Sequence, residues 1–126
     1  MDIQSVRKFA LSLPETSEAP HFNFGSFRVR GKIFVTVPPE DGYIHVFVDE
    51  QERLLALAMY PGAIEPLHWG QKIVGVRVNL RKANAAAVRH LVNAAWKTKA
   101  PKRLWNVIQD LPPSAFGTFP RKRGKG

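Results

Sequence analysis

The chain has 126 residues, 44% hydrophobic and 23% charged, which is typical of one folded domain with its own core. The absence of cysteine excludes disulfides, thiolate metal sites and a cysteine nucleophile. Residues 1–63 hold six Lys/Arg and eight Asp/Glu, whereas residues 64–126 hold thirteen Lys/Arg and two acids. A net charge of +9 distributed in this way indicates a polyanionic partner, such as nucleic acid, an anionic membrane surface or an acidic protein.

The first part of the chain predicts one helix followed by an antiparallel meander. Asp2 is a suitable N-cap, apolar residues then recur at helical spacing, and Pro14 ends the helix. Residues 15–20 are predicted to form a loop. Turns are expected at Gly31 and at residues 38–42. The three strands that these turns join are predicted at residues 21–30, 32–37 and 43–48.

The middle of the chain predicts a second helix and a fourth strand. Asp49 and Glu52 have the spacing of a capping box, so we expect the helix to begin there. Its apolar side is predicted to consist of Leu54, Leu55, Leu57 and Ala58. The segment after Pro61-Gly62 is expected to be an irregular loop up to Gly70. Residues 72–80 alternate clearly between apolar and other side chains and predict a strand.

Two helices are predicted to complete the domain. Asn84 caps a long helix whose buried stripe is expected to be Val88, Leu91, Val92 and Ala95. Pro101 suits the first position of the last helix. Its apolar stripe is expected to be Leu104, Val107, Ile108 and Leu111. Residues 112–126 contain proline and a basic cluster and are predicted to be a mobile tail, which either adds non-specific affinity or has no partner.

The order α-β-β-β-α-β-α-α predicts an α+β fold. Because helices and strands do not alternate regularly, we expect a single twisted antiparallel sheet with helices packed on one face, a two-layer sandwich. The domain is predicted to span residues 1–111.

Several short motifs, spread over residues 5–111, resemble the MmcQ/YjbR family. They are Leu11-Ser12-Leu13-Pro14, Pro20-His21-Phe22, the run from Phe27 to Phe34, Trp69-Gly70, the run from Val76 to Leu80, Ala95-Trp96 and the run from Ala100 to Leu104. Members of that family are described as α/β sandwiches related to frataxin and to secretion chaperones, and as DNA-binding proteins with a double-wing arrangement. The resemblance therefore implies the same fold and a DNA partner.

The start of the last helix is the first candidate contact with nucleic acid. Lys102 and Arg103 follow Pro101 and so lie at the positive end of the helix dipole, which disfavours each cation by about 0.3–1 kcal/mol. Two interpretations remain open. Cations beside the exposed amides of a helix start can bind phosphate. Alternatively, they cover the carbonyl end of the preceding helix, as expected for Lys97 and Lys99.

The uncovered face of the sheet is the second candidate. By strand parity Arg28, Arg30 and Arg77 project from it, beside the aromatic side chains of Tyr43, His45 and Phe47. Arginines interleaved with aromatic rings can contact phosphates and stack on bases. The other interpretation is that the aromatic residues pack against a loop such as the one that carries Trp69.

The hairpin turns are the third candidate. Arg30 and Lys32 flank Gly31, so two cations lie at one tight turn. The turn at residues 38–42 contains Glu40 and Asp41, which repel phosphate. Only one of these two hairpins therefore suits DNA, which departs from a simple double wing.

No enzyme chemistry is predicted. The four histidines lack metal-ligand spacing, the acids do not form a catalytic pair, and no glycine-rich phosphate loop is present. We therefore expect no cofactor and no metal. The longest apolar runs are too short to cross a membrane, and the N-terminal sequence lacks the pattern of a signal peptide, so a soluble cytoplasmic protein is expected.

The sequence thus predicts a non-enzymatic DNA-binding protein of low sequence selectivity whose binding is dominated by phosphate contacts. The predicted contact residues are Arg28, Arg30, Lys32, Arg77, Lys102 and Arg103. The alternative is a module that binds an acidic protein or an anionic small molecule on the exposed sheet face, as secretion chaperones bind their partners.

Overall fold

The computed structural model describes residues 1–40 and 42–109. Residues 106–109 are described by their backbone alone. The tail predicted for residues 112–126 lies outside the described residues. The described elements, in chain order, are α1 (Ile3–Ser12), β1 (Thr16–His21), β2 (Phe24–Val29), β3 (Lys32–Val37), β4 (Tyr43–Val46), α2 (Glu50–Met59), β5 (Ile64–Trp69), β6 (Lys72–Asn79), α3 (Ala85–Lys99) and α4 (Lys102–Gln109).

The strands form one sheet in the order β1-β2-β3-β4-β6-β5, and every neighbouring pair is antiparallel. The helices and the sheet enclose a single hydrophobic core. The predicted fold class, an α+β two-layer arrangement with one antiparallel sheet, is confirmed.

Two segments predicted as loops are strands. β1 has the sequence TSEAPH and β5 has the sequence IEPLHW. Both are edge strands that pair on one side only, so few of their side chains are buried and apolar alternation is weak. The predicted order α-β-β-β-α-β-α-α is wrong because it lacks these two strands.

The predicted helix starts are confirmed by their caps. The carboxylate of Asp2 accepts from the Ser5 amide at 2.8 Å, and that of Asp49 accepts from the Glu52 amide at 3.0 Å. The side chain of Asn84 caps α3 in the same way. The capping box at α2 is not reciprocal, because the Glu52 carboxylate lies 2.8 Å from His90 Nε2 instead of returning to its own helix start.

The core agrees with the predicted stripe of α3 and disagrees with that of α2. All four predicted residues of α3 are buried, and so is Trp96, whose indole N–H donates to the Pro14 carbonyl at 3.1 Å. In α2 the buried residue is Ala56, whereas Leu54, Leu55 and Ala58 are exposed. The predicted apolar side of α2 is therefore wrong for these three residues, whereas Leu57 is half-buried and packs against the core, as predicted.

The strand order decides which turns share an end of the sheet. β4 lies between β3 and β6 and is antiparallel to both. Consequently the β2–β3 turn at Arg30-Gly31 and the β5–β6 turn at Gly70-Gln71 lie at the same end, which we call the upper end. Residues 38–40, Gly42 and the β1–β2 turn lie at the opposite, lower end. The two turns predicted as a pair, at Gly31 and at residues 38–42, are therefore at opposite ends of the sheet.

Gly75 permits the close approach of the chain that leaves β4. A Cβ atom at this position would collide with the carbonyl oxygen of Val46 and would lie 3.0 Å from Phe47 Cα. The obstacle is backbone, which cannot rotate away as a side chain would. Only glycine fits here without a shift of β4 against β6.

We expect Gly75→Ala to lower the free energy of unfolding by about 1–3 kcal/mol, because the added methyl group overpacks this contact. Gly62→Ala is the matched control, since a Cβ at Gly62 meets no atom within 4 Å. The control should change stability by less than about 0.5 kcal/mol in urea unfolding. Equal stability of the two variants would contradict the close approach.

Candidate nucleic-acid interface

The upper end collects cations from four separate segments of the chain. The antiparallel order places the β2–β3 and β5–β6 turns at the upper end. Helix α3 begins at the lower end and ends at the upper end, immediately before α4. The cations of these segments are Arg30, Lys32, Lys72, Lys97, Lys99, Lys102 and Arg103. The acids of the described segments at this end are fewer, namely Glu15, Asp49, Glu50 and Glu52.

Glu15 contacts two of the predicted sites, the β2–β3 turn and the start of α4. Its Oε1 lies 3.0 Å from Arg30 Nη1, and its Oε2 lies 3.8 Å from Arg103 Nη1. The hairpin turn and the start of α4 were separate candidates in the sequence. In the structure they are neighbours on one surface, with a single carboxylate between two guanidinium groups.

Three exposed lysines of the upper end have no ion-pair partner among the described residues. They are Lys32 on the first turn, Lys72 on the second turn and Lys102 at the start of α4, and all three are exposed. An exposed ammonium group without a carboxylate neighbour can contact a phosphate without first breaking an internal ion pair.

A groove of about 510 Å³ continues this surface between α2, α3 and the start of α4. Lys97 and Lys102 line it, and Lys97 Nζ lies 5.8 Å from the centre of the Trp105 ring. Two buried atoms in the lining residues, Asn93 Oδ1 and Trp105 Nε1, make no hydrogen bond. One is an acceptor and the other a donor.

Arg77 lies away from the upper end, on the uncovered face of the sheet, and is neutralised there. Its Nη2 lies 2.7 Å from Glu40 Oε1, its Nε lies 3.5 Å from Glu65 Oε2, and its Nη1 lies 3.0 Å from His45 Nε2. Its Cζ also lies 4.0 Å from the centre of the Tyr43 ring. With two carboxylates and only 21% of its side chain exposed, Arg77 is poorly placed to bind an anion.

Arg28 lies on the same face and is held by hydrogen bonds rather than by ion pairs. Its Nε donates to Ser26 Oγ at 3.1 Å, and its Nη2 donates to the Pro20 carbonyl at 3.2 Å. These contacts tie the arginine to β1 and β2. The six predicted contact residues therefore divide into Arg28 and Arg77 on the uncovered face, and Arg30, Lys32, Lys102 and Arg103 at the upper end.

The aromatic residues of the uncovered face pack against one another and against Arg77. Tyr43 lies under the guanidinium group, and the His45 ring lies 6.0 Å from that of Phe24. Tyr43 also lines a cavity with Pro61, Gly62 and Ala63, the start of the segment predicted as a loop. Trp69 is the last residue of a strand and is 76% exposed.

The surroundings of His45 favour its neutral form. Burial lowers the pKa of its imidazole, and the positive charge of Arg77 lowers it further, while Glu40 opposes both effects. Because a guanidinium group only donates, Nε2 of His45 accepts from Arg77 and the ring proton is on Nδ1.

The sequence interpretation missed Lys72 and Trp69. Both belong to the β5–β6 hairpin, in which Trp69 pairs with Lys72 across the Gly70-Gln71 turn. The signal was present as an aromatic residue, a glycine and a lysine just before a clear strand. The burial pattern of β5 does not alternate clearly, so the sequence predicts no strand and hence no hairpin at this position.

Among residues 1–40 and 42–109, no group of three or more histidine or acidic side chains could hold a metal ion. None of the helices in these ranges has the length and apolar character that crossing a membrane requires.

The model of the YjbR family matches residues 11–98, which is more than half of the chain. The chain belongs to the YjbR family. It is also similar to the crystal structure of Deinococcus radiodurans protein DR2400, with a DUF419 domain, at a TM-score of 0.68 and 18% identity over 88% of this chain and 89% of that one. That likeness confirms the fold, and no curated protein matches the sequence significantly.

We expect the free energy of unfolding to decrease as the pH falls below about 6.5, because His45, whose pKa is lowered by folding, then binds a proton more readily in the unfolded chain than in the folded protein. In His45→Gln, whose amide oxygen can still accept from Arg77, this decrease should be smaller. Urea unfolding at about pH 7.5 and about pH 5.5 measures the difference. The same pH dependence in both proteins would show that His45 does not titrate differently on folding.

Proposed function

We propose that this YjbR-family protein is a non-enzymatic DNA-binding protein that contacts phosphates with its upper end. The observation that carries the proposal is the convergence of cations from both hairpin turns, the end of α3 and the start of α4 on one surface. Three of these cations, Lys32, Lys72 and Lys102, are exposed and have no carboxylate partner among the described residues. Such a surface attracts a polyanion and releases its counterions on binding.

The spacing of the two turns suits a strand of duplex DNA. Three strand spacings separate them, which is about 14 Å at the usual distance between strands. One strand of DNA advances about 3.4 Å per nucleotide, so about four nucleotides span that distance. The β2–β3 and β5–β6 hairpins are also the pair that fits the double-wing description of the family, with tips at Arg30–Lys32 and at Trp69–Lys72.

We expect low sequence selectivity because lysine and arginine contacts to phosphate carry no base information. The uncovered sheet face has less support as a binding surface. An acidic protein or an anionic ligand bound there would have to displace Glu40 and Glu65 from Arg77.

The double variant Lys32→Gln/Lys72→Gln tests this surface, since it removes one charge from each turn. We expect the affinity for duplex DNA to fall about tenfold or more at ~50 mM salt. The slope of the logarithm of the association constant against the logarithm of the salt concentration should become less steep by about 2. Fluorescence anisotropy over a salt series measures both quantities.

Lys8→Gln/Lys82→Gln is the matched control, since it removes two exposed lysines, one on α1 and one next to β6 at the lower end. It should leave the affinity nearly unchanged. An equal loss in both variants would show that only the total charge matters. No binding by the unmodified protein at ~50 mM salt would show that the proposed function is wrong.

A gain of affinity is expected when Glu15 is replaced. Glu15→Gln removes the carboxylate between Arg30 and Arg103 and should tighten DNA binding about two- to fivefold, the effect of one exposed ion pair. Glu18→Gln is the matched control, because Glu18 is also an exposed acid of this segment, paired with Arg7 at 2.7 Å. A larger gain from the Glu18 variant would place the interface elsewhere.

A further inference from the structure

Trp69 lies at the tip of the β5–β6 hairpin with little contact to the rest of the protein. Its side chain is 76% exposed, and no aromatic ring or cation packs against its own ring among the described residues. It pairs with Lys72 across a two-residue turn in which Gly70 has a φ of 63°. The neighbouring Ile73 is 41% exposed.

Folding does not explain a tryptophan at this position. Indole is the largest apolar side chain, and its burial is a major source of stability, yet the tip leaves most of it in water. The positive φ that the turn needs is provided by Gly70, not by its neighbour. The other two tryptophans are buried or half-buried against the core. An exposed aromatic residue without a structural role is typical of a contact surface.

The charges around Trp69 indicate what this contact surface binds. Lys72 is its cross-strand neighbour, and the first turn at the same end adds Arg30 and Lys32. Phe22 is the contrasting case. It is 90% exposed at the β1–β2 tip, but it lies at the lower end, which also carries Glu40, and its ring contacts His21 at 4.8 Å. Of these two exposed aromatic residues at hairpin tips, Trp69 is therefore the one that lies among cations.

We propose that Trp69 stacks on an unpaired base, so that the upper end prefers DNA that presents unpaired bases to DNA that is fully paired. This inference rests on the proposed function, since Lys32, Lys72 and Lys102 provide the phosphate contacts. The indole face stacks on any base, which adds affinity without sequence selectivity. In a duplex the base faces are covered by neighbouring pairs, so the tryptophan gains this contact only where a base is unstacked.

The test compares a short single-stranded oligonucleotide with the duplex of the same sequence at ~50 mM salt. Trp69→Ala should weaken single-strand binding about 5- to 150-fold, the range for loss of one stacked base, and should change duplex binding by less than about twofold. Trp69→Phe, which keeps a ring, should retain most of the single-strand affinity. Phe22→Ala is the matched control and should leave both affinities unchanged.

Tryptophan fluorescence emission provides a second measurement that is independent of affinity. Addition of the single strand should quench the emission of the unmodified protein. The quenching should be much weaker in Trp69→Phe, because Trp96 is buried and Trp105 is half-buried.

The outcomes separate the two proposals. If the duplex binds and Lys32→Gln/Lys72→Gln weakens it, but Trp69→Ala leaves single-strand binding unchanged, the phosphate surface stands and the stacking inference is wrong. An equal loss for single strand and duplex would also overturn the preference for unpaired bases. If neither DNA binds the unmodified protein, the proposed function itself is wrong.

Discussion

The position of β4 between β3 and β6 is the constraint on which the candidate interface depends. β4 is antiparallel to both neighbours, so the hairpins on either side of it point in the same direction. β3 and β6 extend beyond Val46, the last residue of β4, and both turns therefore project at the upper end. Gly75 allows the chain that leaves β4 to pass close to β6 on its way to α2. Because β4 pairs with both β3 and β6, the second hairpin lies at the same end of the sheet as the first.

The same strand order brings together charges that the sequence separates. In the sequence, the first half of the chain has a slight excess of acidic residues and the second half has a large excess of basic residues. In space, Arg30 and Lys32 of the acidic half lie at the same end as Lys102 and Arg103 of the basic half. Conversely, Arg77 of the basic half is neutralised by Glu40 and Glu65. The local ratio of cations to carboxylates, not the charge of a sequence segment, therefore decides which surface can attract an anion.

Most of the interior of the fold could be predicted from the sequence, because its signals are local. Helix caps such as Asn84 act within three residues, and the alternation of β6 and the stripe of α3 arise from repeated burial on one side. β1 and β5 escaped prediction because an edge strand receives its hydrogen bonds from a distant partner and buries few side chains. The candidate interface was only partly predictable for a related reason. The cations of the first turn and of α4 were found individually, but the contact of Glu15 with Arg30 and Arg103 exists only after folding.

The contrast between arginines and lysines supports the upper end over the uncovered face. On the uncovered face, Arg28 and Arg77 donate to carbonyl, hydroxyl, imidazole and carboxylate groups of the protein itself, and these contacts hold neighbouring strands together. Their guanidinium groups thus satisfy internal acceptors, and recruiting them for a ligand would leave those acceptors without donors. The exposed lysines of the upper end, Lys32, Lys72 and Lys102, have no such internal role among the described residues. A polyanion can therefore bind at the upper end while the hydrogen bonds of the sheet remain intact.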